Sequence, residues 1–162
     1  MTDPERTALD MARHTLATLA YRGGKATAGL SDEAAAFRAG EGSRTPLEIL
    51  AHVNDLFDWA IELCDGRHVW NDSTPASWSA ERDRFFAGLT GLDARLASCR
   101  PFGFSLERLF QGPIADALTH VGQIAMLRRM AGWPMRGENY FRAEIVAGRV
   151  GATQAPPVRE LD

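Results

Sequence analysis

The stretch IADALTHVGQIAMLRRMAG, residues 114–132, indicates which secondary structure builds this protein. Its apolar residues recur every three or four positions, which is the spacing of one face of an α-helix. Asp116 and His120 stand four residues apart in this pattern, so a helix brings their side chains one above the other. Because Ile124 and Leu127 flank the pair on a helical wheel, we predict that both polar groups lie in the buried stripe.

Three other stretches have the same helical spacing of apolar residues. Together with the first they cover residues 4–21, 45–66, 75–99 and 114–132, and a turn from Ser105, broken at Gly112-Pro113, precedes the last. We interpret Gly23-Gly24 as the end of the first helix, because paired glycines interrupt helices. No stretch alternates apolar and polar residues for long enough to predict a strand. The sequence therefore predicts an all-α fold, an antiparallel four-helix bundle, in a single domain spanning residues 1–162.

The start of the second long helix carries the clearest local signal. TPLE at residues 45–48 places Thr45 as the N-cap, Pro46 at the first helical position and Glu48 three residues after the cap. Threonine and glutamate at this spacing satisfy each other's backbone N–H groups in a capping box, and proline is favoured at the first position. The helix is predicted to begin here.

The C-terminal segment, residues about 133–162, differs in composition from the helices. It contains Pro134, Pro156 and Pro157 and several glycines, which interrupt regular structure. We predict an irregular C-terminal wrap around the bundle, with at most a short helix near residues 139–147.

Composition excludes several classes of function. The net charge is -3, which provides no basic surface for a nucleic acid. Cys64 and Cys99 have no partner at the spacing of a zinc knuckle or a redox pair, so we expect buried thiols. No leader and no membrane-length apolar run is recognisable, and we expect a cytoplasmic protein with no membrane contact. The run Arg128-Arg129 is interpreted as a solvated helix face.

Three side chains suggest a metal site. In four-helix bundles, metals are held by side chains from facing helices, often with ligands one turn apart on one helix. Asp116 and His120 supply such a pair, and His52 on the second long helix falls on an apolar face beside Leu56 and Trp59. Two imidazoles and one carboxylate suit Zn(II), Ni(II), Fe(II) or Mn(II), and three protein ligands leave coordination positions open.

The residues alone leave a simpler interpretation open. An inward-facing histidine is commonly a hydrogen-bonded core residue, and an aspartate one turn before a histidine commonly forms only a charge-assisted hydrogen bond. Spacing does not decide between these two interpretations.

Two segments resemble the DinB-like superfamily of four-helix-bundle metalloenzymes, which includes thiol-dependent transferases. They are HVGQIAMLRRMAG, with an aspartate four residues before its histidine, and PLEILAHVNDLFDWA on the earlier helix. The resemblance extends over about residues 5–150. The family typically holds its metal with three histidines, of which His52 and His120 match two, whereas Asp116 stands at the third position. The resemblance implies a divalent metal ion, a low-molecular-weight thiol as co-substrate and a homodimer.

Further side chains are candidates for the surroundings of the metal. Gln123 lies one turn after His120 and is a candidate for orienting a ligand or a bound water, the alternative being hydrogen bonds to neighbouring side chains only. Trp59, Trp70, Asn139 and Tyr140 are candidates for lining a substrate pocket, although aromatic residues at helical spacing are more commonly part of the core.

Two classes of function remain. One is a divalent-metal-dependent enzyme, either an S-transferase that joins a thiol to a small electrophile or a hydrolase that activates water. The other is a non-catalytic metal- or ligand-binding bundle, such as a stress-response protein. The sequence has no nucleophile elbow, phosphate-binding glycine loop or H-E-x-x-H motif, which removes the common hydrolase, kinase and metalloprotease classes. The wide apolar stripes of the first three helices also predict a homodimer that buries them.

Overall fold

A computed structural model describes residues 2–98 and 101–161. The helices are α1 Asp3–Thr27, α2 Asp32–Ala35, α3 Pro46–Cys64, α4 Trp78–Ala97, α5 Leu106–Leu109 and α6 Ala115–Met130, with a π-helical turn at Phe110–Ile114 and a 3-10 turn at Tyr140–Arg142. Two short strands, β1 Gly137–Glu138 and β2 Glu160–Leu161, pair antiparallel, with Gly137 opposite Leu161. The predicted all-α helical bundle is confirmed.

Contacts along α4 give the directions of its neighbours. Arg13, in the first half of α1, pairs with Asp93 near the end of α4 at 2.9 Å, so these two helices run antiparallel. Asn54 of α3 hydrogen-bonds Glu81 at the start of α4, and Asp65 just after α3 pairs with Arg95 near the end of α4. Helices α3 and α4 therefore run in the same direction.

Helix α6 completes the ring, because it packs on α3 and α1. Trp59 of α3 contacts Gly112 before α6, while His52, two turns earlier, faces Asp116, so α3 and α6 are antiparallel. Arg128 near the end of α6 bonds Ala26 near the end of α1, so those two helices are parallel. The bundle that the sequence predicts as antiparallel thus combines two antiparallel and two parallel neighbouring pairs.

The parallel α3/α4 pair requires a connection that returns along the length of α3. Residues 65–77, called the crossing segment below, make this return without helix or strand. An extended chain covers about 3.3 Å per residue against 1.5 Å per residue in a helix, so this segment is long enough to traverse α3. Its course over the outside of α3 brings it to the candidate site.

Helix α1 continues through Gly23-Gly24, so the predicted end near Tyr21 was wrong. A Cβ atom on Gly23 would lie 2.3 Å from Cζ of Phe85, a fully buried residue of α4. The glycine lets two helix backbones approach across an aromatic ring. Close packing, and not helix termination, is its role.

Arg128 also departs from its prediction as a solvated residue, since it is 6% exposed. Its guanidinium donates to the carbonyl oxygens of Ala26 at 2.8 Å, Ala28 at 3.0 Å and Trp133 at 2.7 Å. Carbonyl groups at a helix end have no intrahelical partner. Arg128 supplies the missing donors at the end of α1, while Arg129 is exposed.

The C-terminal segment is largely irregular, as predicted, but it contains strands β1 and β2, which the sequence pattern did not indicate. Glu138 of β1 is buried against α1, accepting hydrogen bonds from Tyr21 at 2.6 Å and Lys25 at 2.8 Å. Cys64 is buried, as expected, and Cys99 lies outside the described residues. Among residues 2–98 and 101–161, no helix has the length and hydropathy needed to cross a membrane.

Candidate metal centre

The N-terminal cap of α3 sets the position of His52. The Thr45 side chain accepts a hydrogen bond from the Glu48 N–H at 3.1 Å, and the Glu48 carboxylate accepts one from the Thr45 N–H at 2.7 Å. This is the predicted capping box, and Pro46 occupies the first helical position. With the helix start fixed, His52 lies in the second turn of α3 and faces α6.

A kink before α6 sets the positions of Asp116 and His120. Gly112 has non-helical backbone angles, φ −89° and ψ −105°, and Pro113 follows it within the π-helical turn. Proline removes a backbone donor and disrupts the preceding helical turn. Helix α6 therefore starts afresh at Ala115, with Asp116 in its first turn and His120 one turn later.

The three predicted ligands come together between α3 and α6. Asp116 Oδ2 lies 3.7 Å from His52 Nε2, and Asp116 Oδ1 lies 3.4 Å from His120 Nε2. One ligand atom from each residue can be chosen so that all lie within 4.8 Å of one another. The two imidazole rings are nearly perpendicular, at 88°, with centroids 4.8 Å apart. His52, Asp116 and His120 are called the metal triad below.

The metal triad lies at the edge of the core and not within it, which corrects the prediction of a buried stripe. The side chains of His52 and His120 retain 19% and 14% of their accessible surface, and Asp116 retains 47%. The buried residues of α6 include Ala117 and Val121, each one position further on, or about 100° around the helix. The Asp116 side of the site is therefore open to solvent.

Gln123 holds one of the histidines. Its Oε1 atom lies 2.7 Å from His120 Nδ1. Since an amide oxygen only accepts, Nδ1 carries a proton, and in the neutral ring Nε2, the nitrogen facing Asp116, then has the lone pair. A histidine ligand is commonly oriented in this way by a hydrogen bond from its other ring nitrogen.

The surroundings of the other histidine disfavour its protonated form. Burial lowers the pKa of His52 below its ordinary value of 6.5, and the positive charges of a protonated His120 and of Arg44 act in the same direction. Asp116 opposes this shift. Because a metal binds neutral imidazole, the environment of His52 favours the ligating state.

Aromatic side chains of the crossing segment pack over the metal triad. Trp70 lies edge-on to His52, with ring centroids 5.5 Å apart, and edge-on to Trp59 at 5.8 Å. His68 stacks on Trp59, with ring centroids 5.4 Å apart. Trp70 was a candidate for lining a pocket, whereas the position of His68 in a segment of turn-forming residues gave no indication that it packs beside Trp59.

Two grooves flank the metal triad. One, with a volume of about 370 Å³, is lined by Trp59, Gly112, Asp116 and neighbouring residues of α6. The other, of about 330 Å³, is lined by His52 together with residues of the connection before α3 and of the crossing segment. Trp59 thus has the pocket-lining position that the sequence suggested. Small molecules have access to the site from two directions.

The remaining predicted pocket residues lie elsewhere. The Tyr140 ring packs edge-on against Tyr21 of α1, with centroids 6.3 Å apart, and under the guanidinium of Arg22. The Asn139 N–H donates to the carbonyl oxygen of Arg159 in the C-terminal segment. These contacts place Asn139 and Tyr140 at α1 and not between α3 and α6, because the C-terminal segment packs against α1 through Glu138.

The donor set fits a divalent transition metal. Bonds of 2.0–2.2 Å from one ion place its ligand atoms about 3–4 Å apart, and Asp116 already lies at such distances from both histidines. Comparisons with protein-family models, with characterised proteins and with solved structures gave no match.

Proposed function

We propose that this chain is a divalent-metal-dependent enzyme that transfers a low-molecular-weight thiol to a small electrophile. The observation that carries the proposal is the metal triad, in which two imidazoles and one carboxylate converge at a partly open site. The thiol specificity comes from the resemblance to thiol-dependent transferases.

The open side of the site favours catalysis over a purely structural ion. Structural metal sites are commonly closed by four protein ligands, whereas catalytic sites keep a position for water or substrate. Asp116 is half exposed and lines the groove that contains Trp59. A molecule in that groove can therefore reach the ligand atoms.

The residues of the site perform separable tasks. His52, Asp116 and His120 would hold the ion, whose chemistry is to stabilise a thiolate or hydroxide at neutral pH. Gln123 keeps His120 Nε2 available, and Trp59 forms an apolar wall against which an electrophile packs. In the transfer a sulfur–carbon bond forms, the bond from carbon to the leaving group breaks with its electron pair, and the thiol proton passes to solvent.

Metal analysis tests the first part of the proposal. Protein purified without a histidine tag is compared with His52→Ala and His120→Ala, with circular dichroism to confirm folding. We expect stoichiometric Zn, Ni, Fe or Mn in the wild type and strong loss in both variants. Equal metal content in all three proteins would refute the site.

Variants of Asp116 separate catalysis from simple binding. Asp116→Ala should weaken metal binding and abolish turnover in thiol-transfer assays against a panel of electrophiles. Asp116→His restores the ligand set typical of the resembling family and should retain metal. If the protein is instead a non-catalytic bundle, no electrophile is turned over, and an apolar residue at position 116 is tolerated without loss of stability.

Hydrolysis is the second candidate, and it is favoured by the same exposure of Asp116. The two reactions differ in their dependence on thiol. Turnover of an ester or amide in the absence of thiol would support a hydrolase, whereas turnover that requires thiol supports the transferase.

The proposal includes a homodimer. Met126, Met130 and Trp133 are 56%, 53% and 44% exposed at the end of α6, and apolar surface of this kind is commonly buried between subunits. Sedimentation at micromolar concentration should give twice the chain mass, and a single chain mass would remove this part of the proposal.

A further inference from the structure

The groove on the His52 side of the metal triad has a different chemistry from the groove beside Trp59. It lies between the connection before α3, the first turns of α3 and the crossing segment, with a volume of about 330 Å³. Its charged and titratable lining consists of Arg38, Arg44, Glu48, His52, Asp55 and Asp72. The groove therefore has charged groups of both signs in its lining, and His52 of the metal triad is one of its residues.

Most of these charged groups are matched by partners in the protein. Arg38 pairs with Glu48 at 2.6 Å, and Asp55 pairs with Arg84 at 2.6 Å. Asp72 accepts a hydrogen bond from the Trp70 indole at 3.1 Å. These groups have contacts that hold the groove in shape.

Arg44 is the exception. Within residues 2–98 and 101–161 its guanidinium has no hydrogen bond or ion pair, although it lines the groove. The groove that includes His52 thus contains a guanidinium that no protein group satisfies in the described part of the chain.

An unmatched guanidinium at the rim of a groove is suited to a carboxylate. The planar guanidinium donates two parallel hydrogen bonds to a carboxylate, and such charge-assisted pairs are stronger than neutral ones. A ligand held this way extends along the groove toward His52. The groove beside Trp59 remains available to a second molecule, as a two-substrate transfer requires.

We propose that the groove between Arg44 and His52 binds a carboxylate-bearing thiol, with its carboxylate on Arg44 and its sulfur at the metal triad. This inference rests on the proposed function, because it assigns one of the two substrates to a defined part of that site. It identifies Arg44 as the residue that selects the thiol.

Isothermal titration calorimetry on the metal-loaded protein tests the assignment. The probes are the carboxylate thiols mercaptoacetate and mercaptopropionate. Mercaptoethanol is the uncharged analogue and cysteamine is the positively charged analogue. Arg44→Gln removes the charge, and Arg129→Gln on exposed α6 is the matched control. Circular dichroism of each variant reports folding.

We expect the wild type to bind at least one of the two carboxylate thiols roughly tenfold or more tightly than mercaptoethanol. Arg44→Gln should remove most of this preference and leave mercaptoethanol binding unchanged, while Arg129→Gln should behave as the wild type. Equal affinities for carboxylate and neutral thiols, a preference for cysteamine, or an unchanged preference in Arg44→Gln would overturn the inference while leaving the transferase intact. Failure of every thiol to bind the wild type would instead refute the proposed function and the inference with it.

Discussion

His120 Nδ1 lies 2.7 Å from Gln123 Oε1, one helical turn further along α6, and this hydrogen bond determines which ring nitrogen faces Asp116. The contact requires a proton on Nδ1, so in the neutral ring the lone pair of Nε2 lies on the side of the metal triad. The site is therefore preorganised by a residue that lies outside the triad.

Replacing Gln123 by Leu should weaken metal binding by roughly 10- to 100-fold, because His120 loses the acceptor that fixes its orientation. Competition with a chromophoric chelator measures the change. Gln123→Glu retains an acceptor oxygen and should stay much closer to the wild type. Wild-type affinity in Gln123→Leu would show that the hydrogen bond does not organise the site.

Metal binding should weaken as the pH falls below about 6.5. Protons compete with metal for imidazole, and burial, followed by the charges of His120 and Arg44, sets the pKa of His52 below 6.5. The affinity for metal is measured from pH 8 downward in steps of about half a unit. Above the ordinary pKa of 6.5 we expect His52 to contribute no pH dependence. A pH profile with no decline in the acid range would contradict this.

The free energy of unfolding of the metal-free protein should also depend on the protonation of His52. Between the lowered pKa of folded His52 and 6.5, the unfolded chain binds more protons than the folded one, so the free energy of unfolding rises with pH. The contribution of His52 is fully present above pH 6.5 and is lost as the pH falls through the lowered value. Urea unfolding of the wild type and His52→Asn at several pH values should show this slope only in the wild type.

Gly23→Ala should destabilise the bundle by roughly 1–3 kcal/mol, because the added methyl group would lie 2.3 Å from Phe85 Cζ in a packed core. Gly122→Ala is the matched control, since a Cβ there meets no atom within 4 Å in the described part of the chain. That change should instead stabilise α6 by up to about 1 kcal/mol. Urea unfolding distinguishes the two, and similar effects at both glycines would contradict the packing role of Gly23.

Arg128→Met should cost roughly 2–4 kcal/mol, since it leaves carbonyl oxygens of Ala26, Ala28 and Trp133 without their donor. Arg129→Met, at the exposed neighbour, should change the free energy of unfolding by less than about 0.5 kcal/mol. If thermal and urea unfolding find equal effects at both positions, Arg128 does not cap α1.

Local sequence determined where several helices begin and which residues share a face. The capping box of Thr45 and Glu48 and the glycine–proline break at residues 112–113 depend on neighbours within a few positions, so both appear as predicted. The spacing of Asp116 and His120 likewise predicts their proximity, because helical geometry is the same in every protein. The choice of these two residues as candidate ligands required no tertiary information.

Only the tertiary structure decided what each of these faces meets. The sequence did not show that Gly23 packs on Phe85, that Arg128 reaches the carbonyls of α1, or that Trp70 crosses to His52. Asp116 is half exposed because α6 is turned about its axis by about 100° from the orientation that would bury this residue. The packing of α6 on both α1 and α3 fixes that orientation. Such contacts join residues far apart in the chain, and their free energies depend on the direction in which helices pack, which local periodicity does not encode.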